Sequence, residues 1–239
     1  MAEAPTPALS VVVPCYNEEK RLPRTVEQIE RYLGGKGTAY ELILVDDGST
    51  DGTRKIMDAA ANSNPRVRIQ ALPENRGKGR ALAEGVAAAR GSEILVTDAD
   101  LSTPIEELDK LQAELAKGAG VAIASRALKA SRVEVAQPIY RVLMGKVFNL
   151  IVQVVLLPGI WDTQCGFKLF RADVAHDAFA KLTTDGFGYD PEVLYRAKQR
   201  GVRIAEVAVT WRNSAPTTVS PIKSSLDMFR HVLRIRFRR

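Results

Sequence analysis

Glu93–Pro104 reads EILVTDADLSTP. The short apolar run at Ile94–Thr97 has the pattern of a strand buried on both faces, and two carboxylates, Asp98 and Asp100, follow it directly. In an ideal strand, residues i and i+2 face the same side, so the pair is expected to point one way from a strand end. Two hard oxygen ligands on one face suit Mg²⁺ or Mn²⁺, ions that share their shell with substrate phosphates and water. Such an ion stabilises a diphosphate as a leaving group. Helix capping is the other reading: Asp100 or Ser102 stands where a helix beginning at Pro104 needs a cap. That reading leaves Asp98 unexplained.

Outward from this stretch the same unit repeats. Ala8–Val13, Tyr40–Val45, Val67–Ala71 and Val121–Ser125 also read as strands. Helical patterns fall near Leu22–Leu33, up to Ala61, near Arg80–Ala89 and near Pro104–Lys117. This βαβα rhythm predicts an α/β fold, a mostly parallel sheet flanked by helices in a single domain. In such sheets ligands sit at the carboxyl ends of the strands. Five polar loops fall there: CYNEE, DDGSTDGT, PENRGKG, TDADLST and SRALK. Past Ala130 the pattern changes to a long amphipathic segment (Ile139–Leu157), then WDTQCGFKLF, DGFGYDPEVL, a strand near Ile204–Trp211 and a basic tail.

The chain has 239 residues, a formal net charge of +6 and 46% hydrophobic residues, enough for one full core. The positive excess suits an anionic membrane or a polyphosphate substrate. Aromatics are 6%, with no zinc-finger spacing and no RNA-reading aromatic motif, which argues against nucleic acid. Cys15 and Cys165 are far apart and suggest no disulfide framework, so a reducing compartment is expected. MAEAPTPALS lacks the basic and apolar regions of a signal peptide. No run reaches the roughly 18–20 apolar residues of a spanning helix, so any membrane contact is expected to be peripheral.

The polar loops carry recognisable chemistry. In DDGSTDGT, Asp46 and Asp47 end an apolar strand and can accept hydrogen bonds from ribose hydroxyls or a base N–H; Asp51 can equally be a helix cap. PENRGKG places Arg76 and Lys78 on a glycine loop, suited to a diphosphate or simply solvated. It does not continue as a Walker sequence, so it is no P-loop. Asp190-Pro191 reads as a helix start, which would account for Asp190 and Glu192 without catalysis. Cys165 reads as a small packed residue, and His176 and His231 lie outside every cluster.

PCYNEE, VDDGSTDGT, NRGKGRAL and DADLSTP, in this order and spacing, resemble the family-2 glycosyltransferases of GT-A fold. SRAL, QPIYRVLMGKVFN, DTQCGFKLF and EVAVTW further resemble the branch of dolichyl-phosphate β-glucosyltransferases and their bacterial relatives. The likeness spans roughly residues 8–212. It implies a GT-A domain over 8–212, with a nucleotide-sugar half (8–125) and an acceptor half (126–212). Residues 1–7 are then a disordered N-terminus and 213–239 a loop and basic amphipathic tail. It implies that Pro14, Tyr16, Asn17 and Glu18 border the nucleotide, Asp46 and Asp47 meet its base and ribose, and Ala99 lines the donor site beside Asp98. Asp98 and Asp100 would hold the metal, Arg126 and Arg141 the acceptor phosphate, with Lys168 a third cation and Asp162 at the reaction centre.

The implied reaction is inverting and metal-dependent: a hexose, glucose from UDP-glucose, passes to a polyprenyl or dolichyl phosphate. The acceptor phosphate is already ionised, so the protein mainly positions two anions and offsets their repulsion. Alternatives are GDP-mannose as donor, a soluble acceptor, or a nucleotide-sugar-binding protein without catalysis. The lipid would meet Arg141–Leu157, which otherwise reads as a core helix, or the tail DMFRHVLRIRFRR, which otherwise reads as a solvated end. The expected location is peripheral, on the cytoplasmic face of a membrane. Two departures stand out. NSAPTTVS replaces the Gly-Ser-Lys type loop after EVAVTW, and Gly186-Phe187-Gly188-Tyr189 replaces a tryptophan-led segment.

Overall fold

The computed structural model describes residues 6–134, 139–212 and 231–237, with backbone alone at 139–144 and 146. Seven strands form one sheet: β1 (Leu9–Cys15), β2 (Tyr40–Asp46), β3 (Val67–Ala71), β4 (Glu93–Val96), β5 (Val121–Ser125), β7 (Lys168–Arg171) and β8 (Ile204–Ala208). Their order is β3-β2-β1-β4-β7-β5-β8. Only β7 runs against its neighbours, with Lys168 opposite Val96 on one side and Ile123 on the other. A small parallel pair, β6 (Arg132–Val133) with β9 (Thr210–Trp211), stands beside it.

The strands are apolar on both faces because helices cover both. Along β2 the side chains alternate: Leu42 and Leu44 join one core, Ile43 and Val45 the other. The first core is closed by α1 (Leu22–Gly35), α2 (Thr53–Ser63) and α4 (Leu108–Ala116). In α1, Leu22, Val26, Ile29 and Leu33 make the buried stripe, and a proline in its first turn pre-sets the helical φ. The second core is closed by α3 (Lys78–Ala88), α5 (Ile139–Val155), α6 (Ala172–Ala180) and α7 (Tyr189–Gln199).

The expected strands are all present, with three differences. The run near Ile204–Trp211 breaks after Ala208, and Thr210–Trp211 leaves the main sheet to pair with β6. The helix from Pro104 begins as a 3₁₀ turn, Ile105–Glu107, before α4. KLFR, part of an unassigned stretch, is β7. Four apolar-leaning residues carry no periodic signal, and only the gap between β4 and β5 makes them a strand.

The tail also differs. Residues 231–237 are helical, and Val232 and Ile235 are buried in the second core. The apolar side expected to lie on a membrane is turned into the protein, while Arg234, Arg236 and Phe237 face outward. The rest of the expected tail, 213–230 and 238–239, lies outside the described residues, as do 1–5 of the expected N-terminal segment. No helix among the described residues is long and apolar enough to cross a membrane.

Candidate active site

The carboxyl ends of β1, β2, β3, β4 and β5 lie on one edge because those strands are parallel. The antiparallel β7 brings its beginning to that edge, so Asp162–Lys168 arrives where the loops after β4 and β5 leave.

The first two loops are stitched together. The Asn17 backbone N–H donates to Ser49 Oγ (3.1 Å), and the Thr50 N–H to Asn17 Oδ1 (2.9 Å). Asn17 sits at φ 55°, a left-handed position that asparagine tolerates. Glu18 accepts both Nε and a terminal N–H of Arg21, at 2.6 and 2.8 Å. Burial pushes the Glu18 carboxyl up, Arg21 pulls it down, and nearby Asp100 and Asp98 push it up again, for a net rise. Asp46 accepts the Ser49 N–H (2.9 Å). Asp47 is buried and accepts the N–H groups of Arg76 (2.8 Å) and Gly77 (2.9 Å), so it shapes the PENRGKG loop. Tyr16 and Arg76 are exposed, while Pro14 is half-buried and Ala99 buried.

Strand β4 ends at Val96, so Asp98 and Asp100 lie in a turn beyond it. The Leu101 N–H donates to the Asp98 carbonyl (3.1 Å), and Leu101 takes φ 44°. Turn geometry, not the strand pleat, therefore sets the two side chains. Asp100 accepts the Ser102 N–H (2.9 Å), a bond local to the loop; it does not cap the helix, whose N-cap is Pro104 with no side-chain cap bond, so the capping reading of Asp100 and Ser102 fails. Asp98 is ion-paired with Lys78 Nζ. Burial opposes the Asp98 charge, but Lys78, then Lys168 and Arg126, hold its carboxyl below the usual aspartate range.

Beyond the end of β5, Arg126 forms a two-pronged pair with Asp162, Nε to Oδ2 at 2.7 Å and a terminal N–H to Oδ1 at 2.8 Å. The Arg126 backbone N–H adds a third bond to Oδ2 at 2.8 Å. Burial works against the Asp162 charge, and Arg126 still keeps its carboxyl low. Arg126 also stacks over the Trp211 ring, 5.4 Å from the centroid. Glu206 accepts the backbone N–H groups of Trp161 (2.8 Å) and Asp162 (3.0 Å).

Lys168 is fully buried; its Nζ donates to the Cys165 carbonyl (2.6 Å) and is ion-paired with Asp190. It has no open face, and it reaches the rest of the cluster only through Asp190 and through its field at Asp98. Glu192 accepts from the Thr183 N–H (3.1 Å) and the Thr184 hydroxyl (2.7 Å). Asp190 and Glu192 both stand in the first turn of α7, as the helix-start reading expected. The backbone of Arg141 lies in α5, but its side chain lies outside the described residues. Cys15 and Cys165 are free and buried.

Three side chains of this site had no role in the sequence reading. Glu206 carries a usable signal, a lone carboxylate in the apolar strand IAEVA. Trp211 ends the quoted EVAVTW run. Tyr189 is wholly buried, with its ring 5.6 Å from Lys78 Nζ and 5.8 Å from Lys168 Nζ, and nothing local announces that.

Gly166 shows how tightly the two halves meet. A Cβ there would collide with the carboxylate of Asp98. Gly166→Ala is therefore expected to displace Asp98 while leaving the sheet intact. A misplacement of about 1 Å costs on the order of 100-fold in rate. Activity compared with far-UV circular dichroism checks this; near-wild-type activity would mean Asp98 has room to move.

The residues fit a divalent cation in one respect: Asp98 and Asp100 lie close enough to Glu18 to raise its proton affinity. Among the described residues, no group of three or more His, Cys, Asp or Glu side chains forms a ready cage. Two carboxylates suit an ion whose shell substrate phosphates complete.

The sequence pattern described as Glycosyl transferase family 2 matches residues 10–179. A Dictyostelium discoideum protein named dolichyl-phosphate beta-glucosyltransferase is 35% identical, over 96% of this chain and 74% of its own. The Homo sapiens protein of that name is 36% identical, over 99% of this chain and 77% of its own. Among solved structures, glucosyl-3-phosphoglycerate synthase from Mycobacterium tuberculosis with UDP superposes with a TM-score of 0.67 at 22% identity. That alignment covers 96% of this chain and 78% of that one. It is a likeness of fold.

Proposed function

We propose that this chain, which belongs to the family-2 glycosyl transferases, transfers glucose from a nucleotide sugar, UDP-glucose, to dolichyl phosphate or a related polyprenyl phosphate. One observation carries the reading. Asp98, on the donor side, lies in the field of Arg126 and Lys168, which come from the acceptor side. Two anionic substrates can meet there with cations between them. The named activity of the relatives supports the glucose and the lipid acceptor.

In this reading Tyr16, Asn17, Asp46 and Arg76 border the nucleotide, while Asp47 holds the loop that carries Lys78. Asp98 and Asp100 would hold Mg²⁺ or Mn²⁺, which supplies charge stabilisation to the departing diphosphate. Lys78 releases Asp98 and pairs with the diphosphate instead. Arg126, fixed by Asp162 and Trp211, presents its outer N–H groups to the acceptor phosphate. A phosphate oxygen attacks the anomeric carbon from the face opposite the nucleotide. The new C–O bond forms as the bond to UDP breaks, and UDP leaves as the anion. The configuration inverts, and no proton needs to be removed from the acceptor.

A peripheral position on the cytoplasmic face of a membrane belongs to the same reading, and α5 supports it. Phe148, Val152 and Leu156 enter the core, yet Val147, Leu150 and Val154 on its other side are 52%, 61% and 78% exposed. Large apolar side chains clustered in the open on one helix mark a surface that binds protein or lipid. Exposed Trp161 lies just beyond its end, next to Asp162, and tryptophan favours the membrane interface. Leu150→Glu with Val154→Glu is expected to lower sedimentation with anionic vesicles by at least about tenfold. Unchanged sedimentation would remove this face from the reading.

The deciding assay supplies labelled UDP-glucose or GDP-mannose, Mg²⁺ or Mn²⁺, and polyprenyl phosphate. The expected result is a lipid-extractable product from UDP-glucose that is lost with chelator. A product from GDP-mannose alone would overturn the donor, and one formed only with a soluble phosphorylated acceptor would overturn the lipid.

A further inference from the structure

We propose that the C-terminal helix, 231–237, is a working part of the donor site: it braces the segment that holds Lys78 in place. The inference rests on the reading of Lys78 as a donor-side cation and adds the tail to that machinery.

A series of contacts runs from His231 of the tail to Asp98. Val232 and Ile235 are buried in the core that contains Leu82 of α3 and Tyr189 and Val193 of α7. His231 lies against Gly188, where an added Cβ would meet the His231 side chain at 3.5 Å and Thr184 Cγ2 at 3.2 Å. The segment Thr184–Tyr189 in turn grips the start of α3. The Arg80 N–H donates to the Asp185 carbonyl (3.1 Å). A Cβ at Gly79 would strike the Thr184 carbonyl and come within 2.9 Å of Tyr189 Cβ. Lys78, between these contacts, passes beside the Tyr189 ring to its pair with Asp98.

Each link is a packed or hydrogen-bonded contact, and interiors this dense transmit displacement instead of absorbing it. Thr184–Tyr189 also has a second tether, the bonds from Thr183 and Thr184 to Glu192. Those bonds fix its N-terminal end. Gly188, at the other end, has no side chain of its own, and His231 shares the space with Thr184. The tail thus controls how firmly the segment presses on α3. Loss of the helix would loosen Lys78 first and leave β1 and β2, on the far side of α3, as they are.

The test uses the full chain, a chain ending before Asp227, a Val232→Ser/Ile235→Ser variant and an Arg234→Ser/Arg236→Ser variant, all without lipid. UDP and UDP-glucose binding with Mn²⁺ is measured by calorimetry well below each protein's melting temperature. Hydrogen exchange is followed at 78–81, 184–189 and along β1 and β2. Truncation and the Val232/Ile235 variant are expected to weaken UDP binding by about tenfold at full stoichiometry, the scale of losing one hydrogen bond to a charged group. Exchange should rise at 78–81 and 184–189 but not in β1 or β2. The Arg234/Arg236 variant should bind as the full chain does. Unchanged affinity after truncation overturns the proposal, as does exchange that rises equally throughout the sheet. If the full chain binds neither UDP nor UDP-glucose, the donor reading fails, and the exchange pattern still decides whether the tail braces α3.

Discussion

Asp98→Asn is expected to lower glucose transfer by roughly 1,000-fold, the scale of losing a preorganised electrostatic contact at a reacting diphosphate. The amide keeps the shape of the carboxylate above Gly166, so packing there is preserved. What it removes is charge. Lys78 loses its ion-pair partner, and Lys168 and Arg126 lose the anion that offsets them. The candidate cation site keeps Asp100 and Glu18 but loses its third negative charge. Lys78 is partly open to solvent, at 21% side-chain exposure, so stability should fall by only about 1–3 kcal/mol. Single-turnover transfer and a Mn²⁺ titration, run beside thermal unfolding, separate the two effects. Wild-type turnover with unchanged metal dependence would reject the role.

The second large effect falls on stability. Lys168→Met is expected to cost about 3–5 kcal/mol, because it strands a buried aspartate. The Lys168 side chain is 0% exposed and that of Asp190 is 7% exposed. The lysine stands in the middle of the sheet between Val96 and Ile123, where an apolar residue would ordinarily be. For a chain of this size the melting temperature should drop by about 6–20 °C. Lys168→Met with Asp190→Leu should recover most of that loss, since a buried pair replaced by apolar residues is often neutral. If the pair serves only stability, the double variant also recovers transfer. The expected outcome is a stable protein with transfer still depressed about tenfold or more, because the field at Asp98 and the seat of Tyr189 are both altered. Thermal scans and kcat on the same samples decide it.

Local chemistry made the donor half readable. Apolar runs ending in CYNEE, DDGSTDGT, PENRGKG and TDADLST placed four strands and their loops on one edge, because parallel strands separated by helices leave few other arrangements. The sequence by itself thus determined the fold class, the ligand edge and most of the charged residues gathered there. It also marked Arg126 and Asp162 separately, through resemblance.

Tertiary structure alone decided which charges pair. Lys78 meets Asp98 across 20 residues, Arg126 meets Asp162 across 36, and Lys168 meets Asp190 across 22. Partner choice at such separations depends on strand order, and strand order was altered by β7. Its antiparallel insertion between β4 and β5 turns DTQCGFK toward the ligand edge, so its beginning and not its end joins the site. No periodicity records direction in a four-residue strand. The same holds for Val232 and Ile235: their spacing suits a membrane face or a core face equally, and only the folded protein, which buries both in its second core, settles which one they fill.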